Sequence, residues 1–544
     1  MTIGILGTAV SGLKAFQRSL ETTSNNISNV NTEGYSRQRV ELATKPSQYT
    51  GSGYVGNGVN VANITRSYDQ FVTNQVRSSL ATFGEMNEFH KLASQVDNIL
   101  ADETTGMAPA IKSFFNAAND VASDPASVPA RQVLISEANL VSEQFKSINA
   151  RFSEIREGVN KSLSLTVKDI NTLATGIADL NKRIVADIGR TSGKQLPNNL
   201  MDERDVLIAK VAEKVDVSIV PQSDGSLSVF IGKGQPLVLS DTTTTLSLAG
   251  SEKDPAYLNI FIDGQNASRE ITGGELKGML RFRDEVLDPA QQQLGLVAAG
   301  LAVEFNTVHK TGFDLDGNAG VDLFSFGATP IETRKLGTAA GAVTANYQAS
   351  VAALSASDYQ LDYNGTDYTL TRLSDNSTTT FTAGGTTTIA APGFDIATSG
   401  MVAGSSFFIR PTFNAAKNTD VVISDPRKIA ASETATTIPG DNKVALKFAG
   451  LESQTVLNSG TDTITDTYGQ LISDVGSLTY SAKVGRSAQE TLLNQAQEAR
   501  ENVAGVNLDE EAANLIKFQN SYQAAAQAVA VASSLFDTLI GAVR

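Results

Sequence analysis

A chain of 544 residues is too long for one hydrophobic core and divides into roughly three or four domains, and 41% hydrophobic with 19% charged residues marks it as folded rather than disordered. A net charge of −15 argues against nucleic acid or an anionic membrane surface as partner, and the lack of cysteine removes disulfides, thiol nucleophiles and thiolate metal sites. No run approaches eighteen apolar residues, so no membrane span is expected, and no basic, apolar and small-residue sequence marks a cleaved secretory signal peptide.

The first stretch is helical. Small and apolar side chains fall at Leu6, Ala9, Leu13, Phe16, Leu20, Thr23, Ile27 and Val30, the alternation of three and four by which one helix faces another. The pattern stops in an Asn- and Ser-rich segment ending at Gly34, a natural C-terminal stop. Residues 39–67 carry short alternating strands between glycine-rich turns. A helix is expected over Tyr68–Leu100, and a second around Ile111, Phe114, Phe115 and Ala118.

After two prolines suited to a helix start, Val141, Phe145, Ile148, Phe152, Ile155 and Val159 run at the same spacing. Ile170, Leu173, Ile177, Leu180 and Ile184 resume it with an offset that reads as a local change of supercoil. Val141 to Ile184 as one helix would span about 65 Å, a strut in a bundle. Residues 216–272 switch to a period of two, with Val217, Ile219, Leu227, Val229, Ile231, Leu258 and Ile260 between turns, which predicts a small β insertion. Helix returns from Glu275 to about His309.

From about 325 to 440 the composition shifts to Thr, Ser, Ala and Gly, and Tyr359–Tyr363 and Tyr368–Leu370 alternate around an Asn364-Gly365 turn. This predicts an all-β sandwich set apart from the helices. Helix resumes after about 465, with breaks near Gly485 and Gly505. The final stretch repeats the opening device at Leu508, Ala512, Leu515, Gln519, Tyr522, Ala526, Val529, Ser533, Phe536, Ile540 and Val543. Matching seams at opposite ends of one chain imply that the ends meet and the middle is looped out. Seam burial alone does not offset the entropy of ordering both ends, so they are expected to be poorly ordered in the monomer and to fold against other copies.

Candidate chemistry is sparse. Gly51-Ser52-Gly53-Tyr54-Val55-Gly56 spells a dinucleotide-binding pattern, but strand rather than helix follows it, so a turn is the better reading. Asp314, Asp316, Asn318 and Asp322 around Gly317 and Gly320 suggest a calcium loop. Ala319 and Ser325 stand where that loop needs glycine and glutamate, which favours a polar turn and no metal. His90 and His309 form no ligand pair, and His309 reads as a dipole contact at a helix end. The dense cluster Leu200-Met201-Asp202-Glu203-Arg204-Asp205 reads as structural ion pairing at a helix start. No catalytic, cofactor or metal site emerges.

The segments Gly12-Leu13-Lys14-Ala15 and Asn25-Asn26-Ile27-Ser28-Asn29-Val30-Asn31 resemble the N-terminal signature of the bacterial flagellar rod, hook and hook-associated axial proteins. Val506-Asn507-Leu508-Asp509-Glu510-Glu511 and Phe536-Asp537-Thr538-Leu539 are similar to the C-terminal signature of that family. Thr32-Glu33-Gly34-Tyr35-Ser36-Arg37-Gln38, the 200–205 cluster, Gly232-Lys233-Gly234-Gln235-Pro236 and Gly273-Gly274-Glu275-Leu276-Lys277-Gly278 narrow the likeness to its hook-associated junction members.

The fold class expected is α+β multidomain, with terminal coiled-coil helices and a long helical bundle carrying inserted all-β domains. Residues 1–38 plus 505–544 form the terminal coiled-coil domain. Residues 39–215 plus 273–325 plus 465–504 form the helical bundle, 216–272 the small β insertion and 326–464 the outer β-sandwich. The resemblance implies a structural adaptor between hook and filament, polymerising through its terminal helices. The expected assembly interface is Leu6, Leu13, Phe16, Leu20, Ile27, Val30, Leu508, Leu515, Tyr522, Val529, Phe536, Ile540 and Val543. Implied partners are copies of itself in a helical ring, the hook protein, a second junction protein and an export chaperone. The implied location is the extracellular flagellum, reached without a cleaved signal peptide. A hook or rod subunit, or a secreted β-domain hydrolase, are the alternatives.

Overall fold

The computed structural model describes residues 2–543 apart from 50, 52, 103–105, 192, 194 and 383–387, with backbone alone at Thr2, Ile3, Leu539 and Val543. Its helices are α1 (Thr2–Ser28), α2 (Gln70–Leu100), α3 (Met107–Ser123), α4 (Val128–Arg190), α5 (Asn198–Lys214), α6 (Gly274–Phe282), α7 (Asp288–His309), α8 (Ala415–Asn418), α9 (Lys443–Ala449), α10 (Ile464–Ala504) and α11 (Leu508–Val543). Several starts are written in the sequence. Asp69 caps α2 by accepting from Phe71 and Val72 N–H, Ser127 caps α4 just before Pro129, and Thr463 with Asp466 forms a capping box on α10.

The strut is α4. Its 63 unbroken residues span about 95 Å. Val141, Phe145, Ile148, Phe152, Val159, Leu163, Ile170, Ile177, Leu180 and Ile184 are all buried along it, so the stripe runs through the offset without a break. Against it pack α3 and α5, while α2 lies along α10 and α6. The helix expected from Glu275 to His309 is interrupted by a π turn at Arg283–Leu287. At that turn Arg283 faces inward, donating to Leu258 O at 2.7 Å with its guanidinium 3.3 Å from the Tyr257 ring. No break occurs at Gly485; α10 ends only before Gly505.

Residues 217–266 form a four-stranded antiparallel meander, from Val217–Pro221 to Thr242–Thr243, and a three-stranded sheet centred on Leu258–Ile262. The outer β region holds a five-stranded and a three-stranded antiparallel sheet. Its strands Glu332–Leu336 and Ser405–Arg410 are neighbours, with Glu332 opposite Arg410. The tight turn of its hairpin lies one residue later than expected. Asn364 and Asp367 pair through their backbones, Gly365-Thr366 make the turn, and the Asn364 side chain accepts from Thr366 and Asp367 N–H.

Two features of this region depart from the sequence reading. The β region is not set apart: Glu304 on α7 accepts from Ser350 Oγ and Val351 N–H, and one buried cluster runs from the helices into the sheets. Arg410 adds a charged tie, donating to Asp254 at 2.9 Å with Asp358 3.4 Å away, while Arg156 of α4 holds Asp288 at 2.6 Å. The Phe413 ring lies near both guanidiniums. Second, the β region ends at about Arg410 rather than 464. Residues 412–463 return to the helical body, where α8 and α9 bury Ala415, Ala416, Val444 and Phe448 against α3, α4 and α7. Gly295 of α7 permits this close return, since a Cβ there would meet the Thr412 carbonyl at 1.7 Å.

His309 is not a surface dipole contact. It is fully buried, stacked on Phe305, with Nε2 accepting from Ala430 N–H at 2.8 Å, so that Nδ1–H donates to Val321 O at 2.6 Å. Burial pulls its pKa from 6.5 down to about 4. A histidine lowered on folding contributes stability above its unfolded value and loses it as pH falls toward the folded one. The full chain is therefore expected to lose on the order of 3 kcal/mol through this group between pH 6.5 and 4. Calorimetry of wild type and His309→Gln across that range should show a shallower fall of Tm in the variant; equal slopes would exclude the assignment.

Candidate functional site: the junction of the chain ends

The chain ends meet in an antiparallel pair. Asn26, near the end of α1, donates to Glu511, near the start of α11, at 3.1 Å. Asn26 is almost fully buried and uses its whole hydrogen-bonding capacity. Its Nδ2 also donates to Gln38 O at 2.9 Å, and its Oδ1 accepts from Gln38 N–H at 3.0 Å and from the Tyr35 hydroxyl at 2.8 Å. Arg37 completes the clasp. Its backbone N–H donates to Ala504 O at 2.9 Å, and its guanidinium holds Glu511 and Glu510, each at 2.7 Å. Ion pairing keeps the buried Glu511 carboxylate compensated.

The clasp is anchored to the helical body by the charged start of α5. Asp202 accepts from Ser36 N–H at 3.1 Å and from Arg66 at 2.8 Å; Arg66 also holds Asp205, and Arg77 of α2 reaches Asp205 at 2.7 Å. Burial pushes the Asp202 carboxyl up against the opposing pull of Arg66, and burial together with Asp202 pushes Tyr35 up to about 12. The ion-pairing role expected for residues 200–205 is thus a specific one: they tie the base of the terminal pair to the bundle. Gly34 makes the approach possible. It sits at φ +78°, and a Cβ there would lie 2.0 Å from Val206 Cγ2.

The buried faces of the pair are shifted from the sequence reading. On α1 the buried residues are Ser11, Ala15, Ser19, Thr22, Thr23 and Asn26, of which Thr23 belongs to the expected stripe; α11 and the hairpin Gln38–Thr44 with Val59–Arg66 cover this helix, and Ser11 Oγ accepts from Val59 N–H at 3.1 Å. Leu13, Phe16, Leu20, Ile27 and Val30 are only half-buried, and Leu6 is exposed. On α11 Glu511 and Ala532 are buried, and between them the half-buried Leu515, Phe518, Tyr522, Ala525 and Val529 keep an alternation of four and three, flanked by half-buried Asn514, Ser521 and Ala526. Of the expected α11 interface, Leu515, Tyr522 and Val529 fall on this face. Leu508, Phe536 and Ile540 do not and are exposed, and the side chain of Val543 lies outside the described residues. Phe518, Ala525 and Ala532 were missed, although their spacing with Leu515, Tyr522 and Val529 was the more regular signal.

A second exposed row, Ile516, Val531 and Leu535, runs along α11 away from α1. The stretch Ile464–Ala542 includes an 18-residue window of mean hydropathy 1.4, only 6% buried, long and apolar enough to cross a membrane by length and composition. It is not a continuous apolar run, since Gln527, Ser533, Ser534, Asp537 and Thr538 interrupt the last helix; alanine supplies apolar length where bulky residues are sparse. Among the described residues no group of His, Cys, Asp and Glu could hold a metal ion. Asp314 accepts from Asp316 and Asn318 N–H and so closes a turn; of the Gly51–Gly56 pattern Ser52 lies outside the described residues, and strand Val59–Arg66 rather than a helix follows Gly56.

Residues 93–324 match the family model of the flagellar hook-associated protein FlgK helical domain, and 333–411 that of the flagellar hook-associated protein 1 D2-like domain. Residues 6–35 match the flagella basal body rod protein model, and 499–542 the flagellar basal body rod FlgEFG protein C-terminal model. These last two ranges are the helices that meet. The chain is 33% identical over 545 residues to flagellar hook-associated protein 1 of Escherichia coli (strain K12), covering 98% of this chain and 99% of that one. It is 26% identical over 584 residues to the protein of the same name from Bacillus subtilis (strain 168), covering 98% and 97%. The fold is similar to that of the flagellar hook junction protein FlgK from Burkholderia pseudomallei, with TM-score 0.71 and 24% identity over 79% of this chain and 100% of that one.

Two substitutions separate the clasp from the rest of the fold. Asn26→Leu strands buried donors and acceptors at about 1–3 kcal/mol each. Gly34→Ala adds the cost of a left-handed residue, roughly 1–2 kcal/mol, to its clash with Val206. Both are expected to speed amide exchange in α1 and α11 while leaving the middle of α4 protected. Unchanged exchange at the two ends would show that the clasp does not hold them.

Proposed function

The chain belongs to the flagellar hook-associated protein 1 family, and from that premise we propose that it joins hook to filament by packing its terminal helices against those of neighbouring copies. It is a structural adaptor of the bacterial flagellum and not an enzyme. The observation that carries the assembly reading is the half-covered state of its ends. Pairing of α1 with α11 leaves Leu508, Ile516, Val531, Leu535, Phe536 and Ile540 exposed on one helix, with Ile5, Leu6 and Val10 exposed on the other. Large apolar side chains exposed along both helices fit burial by other chains.

Contacts between unlike faces of successive subunits propagate a helical ring rather than closing a dimer. The ends would take their full order in that ring, whose inner wall they form. In this reading α4 and its neighbours form the outer wall, and the β sheets project from it. The hook protein lies on one side of the ring and a second junction protein on the other. A chaperone covers the apolar face of α11 until export, which proceeds to the cell exterior without a cleaved signal peptide.

Leu515→Asp or Phe536→Asp is expected to permit expression but abolish incorporation into isolated flagella, whereas Thr378→Ala on an exposed outer strand is nearly silent. Normal incorporation of both aspartate variants would count against the terminal helices as the interface. Deletion of the gene is expected to give complete hooks without filaments and flagellin in the medium, seen by electron microscopy and immunoblot. Missing hooks would place the protein in the hook or rod instead.

A further inference from the structure

The hairpin beside α1 and a groove at its base are distant parts of one molecule with complementary character. Beyond the paired strands Gln38–Thr44 and Val59–Arg66, Gln48–Tyr49 pairs with Tyr54–Val55 at the tip. The Tyr49 and Tyr54 rings lie 5.5 Å apart, and these side chains are 63% and 77% exposed, with Val55 exposed beside them. Lys45 is the one charged residue between 43 and 57. The tip points toward the start of α1, since Gly58 rests on Thr8 and Val59 N–H reaches Ser11.

At the other end of the hairpin a groove of about 830 Å³ opens between α2, α5 and the last turns of α10. Tyr68, Val76, Leu80, Val206 and Ala209 give it an apolar lining. Around them stand Glu33, Glu213, Glu498 and Glu501 against Lys210 and Arg500, a net negative rim; Arg77 and Asp205, which also line it, are paired with each other. An apolar floor with a polar rim suits tyrosines, whose rings bury while their hydroxyls stay near polar groups. The acidic balance suits Lys45.

The tip cannot fill the groove of its own chain. Ser36 and Tyr68, at the hairpin base, line the groove, while eleven residues of strand at about 3.3 Å each carry the tip up to about 35 Å away. Two separated, unlike surfaces of complementary chemistry on one molecule can make a heterologous contact, which repeats from copy to copy. We propose that the tip of each subunit docks, through Tyr49 and Tyr54, into the α2–α5–α10 groove of the next copy. The inference rests on the self-assembly reading and adds a second contact to it, outside the terminal helices.

Because the chain has no cysteine, paired cysteines test the contact directly. Full-length Tyr54→Cys/Ala209→Cys, expressed in the deletion strain, is expected to give a ladder of crosslinked multimers when isolated flagella are oxidised. Each single variant should remain monomeric, and the two singles expressed together should give dimers only. If the double variant does not incorporate, the co-expressed singles carry the same test. Subunits present in the flagella but monomeric throughout, or crosslinking of Tyr54→Cys alone, would overturn the docking while leaving the adaptor role intact. Absence of the wild-type chain from isolated flagella would instead remove the self-assembly reading.

Discussion

The constraint on which the molecule depends is that its first and last helices leave the body at one point. Asn26 and Arg37 converge on Glu511 there, across more than 470 positions of sequence. Each partner is satisfied by the others. An amide with all four hydrogen bonds made, beside an ion pair shielded from water, tolerates little displacement in any direction. Asp202 and Asp205 extend this rigidity into α5 and α2 through Arg66 and Arg77, so a force applied to the terminal pair is passed to the bundle by charged contacts at short range.

Above that junction the architecture is simple in physical terms. One long helix carries an apolar stripe, and the helices around it are held by ordinary burial. Some of the buried polar groups join helix to helix, as Arg156, Gln291 and Asn149 do between α4 and α7, and others hold irregular backbone. His309 fixes the return of Val321 and Ala430 to the end of α7, and Arg131 fixes the turn at Pro125 by donating to its carbonyl. These side chains face carbonyl and amide groups, and nothing about them resembles a reactive site.

The sequence was most legible where burial on one face of a helix was decided within the chain. The stripe of α4 needed only periodicity, the prolines marked its start, and the terminal motifs carried the family. It was least legible at the ends. On α1 the spacing points mainly to large apolar residues, yet Ser11, Ala15, Ser19, Thr22, Thr23 and Asn26 are the buried ones in the single chain, because small side chains allow the closest approach. The outer β region was read too long, since residues 412–463 are rich in small polar residues and fold as short helices with little periodicity of their own. The clasp left almost no local trace. Contacts between residues so far apart in sequence have no spacing to read.

The register of Glu332 against Arg410 has a consequence for how such a chain can change over time. Because the outer sheets begin and end on adjacent, hydrogen-bonded strands, their far hairpins form a pendant on a closed stem, while residues 349–352 tie that stem back to α7 and to Ser459. Residues can be added to or taken from that pendant without altering the spacing of the stem. The outer sheets are thereby free to vary in length, while the junction of α1 with α11 stays fixed.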